Sequence, residues 1–103
     1  QWRKEVLGTM NSTITNFLNL AERKALANRT SWPSADVKAT AVMLWPYLIT
    51  KSIVTNITPV YDGQAAGSLL VDYQNKTSKT KNSEIVLKMD FKEIKQLLIR
   101  YYG

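Results

Sequence analysis

The sequence predicts a small α+β domain, and three observations carry that prediction. A long apolar stripe at helical spacing opens the chain. β-branched and alternating stretches fill its middle. A helix-capping signature at Asp90 then starts a last helical stripe. A chain of 103 residues has the size of one domain with a modest core. With 45% hydrophobic and 21% charged residues it has the composition of a folded globular chain.

Residues 1–27 read as one amphipathic helix. Val6, Met10, Ile14, Phe17, Leu18, Ala21 and Ala25 recur three and four residues apart, and Asn28 to Ser31 form a stop. Such a helix is roughly 40 Å long, so it overhangs a core of this size or packs on a second molecule. Trp32-Pro33-Ser34 is a connector. Ser34 is placed to cap a second helix over 34–48, with Asp36 in its first turn and Val37, Ala41, Leu44, Trp45 and Leu48 as its apolar positions. Pro46 lacks a donor and clashes with the preceding turn. The helix therefore ends or kinks near Leu44–Trp45, and Pro46 opens a short extra turn.

Residues 52–91 read as a three-stranded antiparallel meander. The strands are 52–60, 67–74 and 84–91, with a turn at Asp62-Gly63. A tight hairpin there wastes the apolar faces. A β-bulge near Gly67 instead pairs Ile57 with Leu69, Thr55 with Val71 and Ile53 with Tyr73. The third strand then pairs Tyr73 with Ile85, Val71 with Leu87 and Leu69 with Met89. The chain closes with a helix over 91–102. Asp90 is its N-cap, Glu93 completes a capping box, Met89 and Ile94 suit a hydrophobic staple, and Ile94, Leu97, Leu98 and Tyr101 mark one face. The order is α-α-β-β-β-α in a single domain.

Composition excludes several kinds of chemistry. With no Cys and no His, Ser-His-Asp and Cys-His nucleophiles, imidazole acid–base work and zinc sites built on those ligands are ruled out. The eight acids are scattered. Asp62 reads as turn, Asp90 and Glu93 as cap, and no pair converges in an apolar surround. The four glycines form no phosphate loop. The expectation is a protein that is not an enzyme, with no cofactor and no metal.

The net charge of +6 favours anionic partners. Lys76, Lys79 and Lys81 lie in the loop 75–83, with Lys88 and Lys51 near, and could meet phosphates. No exposed aromatic shares that loop, and single-strand binders use one. A solvated hairpin tip is the preferred reading, and a basic nucleic-acid-binding module is the alternative. Four N-x-[ST] sequons, at Asn11, Asn28, Asn56 and Asn75, exceed the roughly 1.2 that composition gives by chance. Polar caps and turns account for them, with a tilt toward an extracytoplasmic location. Trp2 beside Arg3 and Lys4 suits a partner contact or a membrane interface. Trp45 reads as core, and Tyr101-Tyr102 as added contact surface.

A long leading helix from Gln1-Trp2-Arg3-Lys4-Glu5-Val6, a short second helix and a β-meander resemble the soluble part of type IV pilins and of type II secretion pseudopilins. The stretch Ser83 to Leu98 resembles the strand and final helix of ferredoxin-like periplasmic domains of pilus and secretion assembly platforms. Both resemblances imply a membrane-tethered, extracytoplasmic subunit that packs against other subunits, its tether being an apolar segment upstream of Gln1. Trp2, Arg3 and Lys4 are then the expected contacts, together with Lys76, Lys79 and Lys81.

Overall fold

A computed structural model describes all 103 residues. The element order is α1 (Trp2–Glu5), a 3-10 turn (Leu7–Thr9), α2 (Thr13–Ala21), α3 (Arg23–Leu26), α4 (Ala35–Leu44), a second 3-10 turn (Pro46–Leu48), β1 (Ile49–Thr55), β2 (Ile57–Pro59), β3 (Leu69–Val71), β4 (Ser83–Met89) and α5 (Phe91–Tyr102). The protein is α+β, as its composition and patterning imply. It divides into two compact units: Gln1–Leu48 with Asp90–Gly103, and Ile49–Met89.

The first unit lacks the expected continuous helix over 1–27. That segment is α1, a 3-10 turn, α2 and α3. Two local features break it. A Cβ on Gly8 would lie 3.0 Å from the Arg3 carbonyl oxygen, so the backbone folds closely over itself there. Ser12 then starts a new helix from an extended conformation. Its hydroxyl accepts from the Thr15 N–H, and the Thr15 hydroxyl accepts from the Ser12 N–H, which makes a reciprocal capping box.

The core of this unit centres on its two 3-10 turns. Leu7 and Leu48, one in each, are fully buried, with Leu26, Ala41, Ile94 and Leu98 around them. α4 ends at Leu44, where Pro46 forbids continuation and opens the second 3-10 turn. Ser34 occupies the N-cap position of α4 without a side-chain capping bond. At α5, the Asp90 carboxylate accepts from the Glu93 N–H at 3.1 Å, and the Asp90 N–H donates to the Leu48 carbonyl at 2.8 Å. Ile94 and Leu98, one turn apart, bury the inner face of α5.

The second unit is two two-stranded antiparallel pairs, not a three-stranded meander. β1 pairs with β4 (Ile53 opposite Ile85, Ser52 opposite Val86), and β2 pairs with β3 (Ile57 opposite Val71, Pro59 opposite Leu69). The segment 49–59 is thus the partner common to both pairs, and not 67–74 as alternation implies. None of the pairings expected through Tyr73 forms, and Tyr73 is exposed. The bulge does sit at Gly67. Its φ is +73° at Gly63 and +90° at Gly67, the Gly67 N–H donates to the Val60 carbonyl, and the Val60 N–H donates to the Ser68 carbonyl, so two residues face one. The hairpin tip is longer than two residues, which slides the β2–β3 register by two and keeps the same side-chain faces.

β3 ends early because Asp72 diverts the chain. Its carboxylate accepts from the N–H groups of Lys76 and Thr77 at 3.0 and 3.1 Å and from the Thr77 hydroxyl at 2.8 Å. Beyond it, the Asn82 side-chain amide takes the place of a strand neighbour for Ile57. It accepts from the Ile57 N–H at 2.8 Å and donates to the Ile57 carbonyl at 3.0 Å. The buried side chain of this unit is Thr55, whose hydroxyl donates to the Asp72 carbonyl. Hydrogen bonds, not apolar burial, organise these strands.

Candidate interaction surface

α2 is turned inside out. Ser12, Thr15, Asn19 and Glu22 repeat at spacings of three and four, which makes a polar stripe along a helix. That stripe faces inward. Thr15 is fully buried, and its hydroxyl donates to the Met10 carbonyl. The Asn19 amide donates to the Gly8 carbonyl at 2.8 Å. The Arg3 guanidinium, 2% exposed, donates to Asn19 Oδ1 at 2.9 Å and to Glu22 Oε2 at 3.0 and 2.7 Å. Trp32 completes the cluster. Its indole N–H donates to Glu22 Oε1 at 2.9 Å, and its ring lies 5.5 Å from the Arg3 guanidinium carbon. Each inward polar group has a partner, which is what makes its burial tolerable.

The cost of that arrangement falls on the other side of the helix. Ile14, Phe17 and Leu20 are 48%, 67% and 66% exposed. A contiguous apolar face of this kind is what interaction sites expose. Residues 13–21 carry no charge, and the charged residues that follow Glu22 at the helix end are Arg23 and Lys24.

A second apolar feature of this unit lies between α4 and α5, a groove of about 520 Å³. Its floor is Ala41, Ile94 and Leu98, all buried. Its exposed rim includes Leu44 and Tyr101. Trp45 closes one end by stacking on Tyr101, ring centroids 5.5 Å apart. Near the other end Lys38 Nζ sits 5.6 Å from the Phe91 ring. Asp36 is the single charged residue lining the groove.

The residues singled out from sequence are scattered. Arg3 is buried in the cluster above, so it presents nothing to a partner. Trp2 is half-buried, with Lys95 Nζ 5.6 Å from its ring, and Lys4 is exposed. Lys76, Lys79 and Lys81 are exposed on the loop that Asp72 organises. Lys79 Nζ reaches the Thr58 hydroxyl at 3.4 Å, and Lys88 stands opposite Lys51 across β1 and β4. The Lys76 N–H bond, then the two Thr77 bonds, hold the Asp72 carboxyl below the ordinary carboxylate range. Of the sequons, Asn56 spends its amide N–H on the Thr80 carbonyl, while Asn28 and Asn75 are exposed. Apolar spacing alone does not disclose the α2 face. The signal for it was the second, polar stripe at 12, 15, 19 and 22, with Arg3 as a buried counter-charge.

No cluster of three His, Cys, Asp or Glu residues is grouped to hold a metal. No helix is long and apolar enough to cross a membrane. No protein-family model matches the chain, and no curated protein matches it.

Proposed function

We propose that this protein is an interaction subunit that works by packing helical surface against another protein, and not by catalysis. The observation that carries the reading is the inverted α2. A complete polar network holds Thr15, Asn19 and Glu22 inward and so fixes Ile14, Phe17 and Leu20 outward. Fully burying an exposed side chain of this kind is worth roughly 1.5–3 kcal/mol, and with these three half to two-thirds exposed a like fraction of that is left for a partner to realise. The absence of His and Cys and the scatter of the acids agree with a binding role. The likeness to pilins leaned on a continuous leading helix and a meander, neither of which forms, so the reading is confined to the packing role.

A photo-reactive phenylalanine analogue at position 17, in the cells that make the protein, tests it. The expected result is a discrete protein adduct, absent when the same group replaces Lys81. Adducts to lipid or nucleic acid alone, or none, would overturn it.

A further inference from the structure

We infer that the occupant of the α4–α5 groove is the α2 ridge of a second copy of this chain. The inference rests on the interaction reading of α2 and names its partner.

Three observations bring ridge and groove together. The first is size. α2 has nine residues, α4 ten and α5 twelve, giving lengths of about 14, 15 and 18 Å. A groove between two helices accepts a third of matching length. The second is polarity. Phe17 and its neighbours form an exposed ridge, and the groove floor and rim are apolar, so the contact desolvates no charge over residues 13–21. The third is charge at the ends. Arg23 and Lys24 follow α2, and Asp36, in the first turn of α4, is the charged residue of the groove. Lys38 follows the groove on Phe91, and Trp45 with Tyr101 marks the other end. An α2 laid antiparallel to α4 brings its basic end to Asp36, the charge that lines the groove, with Lys38 beside it held on the Phe91 ring, and opposes the two helix dipoles. Ridge-to-ridge pairing of two α2 helices leaves the groove empty and uses neither Asp36 nor the length match.

The contact is heterologous, since the patch that gives differs from the patch that receives. Two copies can exchange ridges, or each can pass its ridge onward in an open chain. One nine-residue ridge is smaller than the roughly 800 Å² per partner of a standard interface. Association is therefore expected at micromolar concentrations, on the order of 10–100 µM.

Sedimentation velocity over a concentration series tests this with two variants. Phe17→Asp removes the ridge and Thr40→Arg charges the groove; both positions are exposed, so the fold stands, with circular dichroism as the check. The wild type is expected to self-associate, and each variant alone at least tenfold more weakly. Mixed, the two regain association, because one brings an intact ridge and the other an intact groove. Leu20→Asp with Leu44→Arg repeats the design should either first variant lose helicity. A wild type that stays monomeric throughout refutes the second-copy partner, while a protein adduct at position 17 would still uphold the interaction reading. Thr40→Arg associating like the wild type, or a mixture that regains nothing, refutes the groove as receiver.

Discussion

Arg3 places its Nε and Nη2 on one carboxylate oxygen of Glu22, at 3.0 and 2.7 Å, and is itself all but buried. The two residues lie 19 positions apart along the chain. Removing the carboxylate leaves a buried guanidinium without its counter-charge, which costs about 3–5 kcal/mol. Glu22→Ala is therefore expected to lose most of the stability of a domain this size. Urea unfolding followed by Trp fluorescence measures it, and Arg3→Met with Glu22→Leu is expected to recover a large part of the loss. A single-variant loss under 1 kcal/mol would contradict the account.

Thr15 bonds both the capping box and the Met10 carbonyl from a fully buried position. Thr15→Ala leaves those groups unpaired and is expected to cost about 1–3 kcal/mol. By contrast Phe17→Asp alters an exposed face and should change monomer stability by about 0.5 kcal/mol or less. Thermal melts at low protein concentration compare the two. Equal losses would mean that α2 does not face the way described.

What was legible in the sequence was local. α5 announces itself because Asp90 and its apolar stripe lie within one helix length, and Pro46 stops α4 from two residues beyond Leu44. The leading segment was not legible in the same way. Counting only apolar repeats ranks Ile14 and Phe17 as core and passes over the polar stripe, whose burial depends on Arg3, sequence-distant and charged. Strands were recognisable from alternation, but their pairing depends on how many residues the loops consume. Asp72 and the hairpin tip at 61–66 consume more than a tight turn does, which frees Ile53 to face Ile85 directly.

The pH dependence of the second unit follows from Asp72. Its carboxyl is held below the ordinary 3.8, foremost by the Lys76 N–H, with the Thr77 hydroxyl and N–H next. A carboxyl depressed in the folded state adds stability that is present above its unfolded pKa and is lost as pH falls through the folded one. Melting temperature should thus drop below about pH 4. Asp72→Asn should flatten that part of the profile while lowering the plateau. A mutant profile that keeps the wild-type acid slope would remove Asp72 as the cause.

Gly67 sits at a φ of +90° with open space where a Cβ would go. Gly67→Ala meets no clash, only backbone strain, and is expected to cost about 1–2 kcal/mol. Chemical-shift changes confined to residues near Val60 and Ser68, with that loss, fit a strained bulge. No loss at all would mean that the register does not depend on it.

Lys76, Lys79 and Lys81 are exposed, and the loop is tied down chiefly by backbone N–H groups, the one ammonium contact being the long 3.4 Å approach of Lys79 Nζ to the Thr58 hydroxyl. Changing all three to Gln should leave the fold intact, with a melting temperature within about 3 °C of the wild type. Far-UV circular dichroism and a thermal melt check it.

Asn82 lends Ile57 the two hydrogen bonds that a neighbouring main chain would make. A side chain here acts as a doorstop. An intruding peptide that sought to zip onto the chain at Ile57 must first evict an amide already bound at both its ends. The barrier to misassembly at this point is thus set by one residue, and Asn82→Ala leaves the Ile57 N–H and carbonyl without these partners, while the backbone N–H of residue 82 still holds the Thr55 carbonyl beside them.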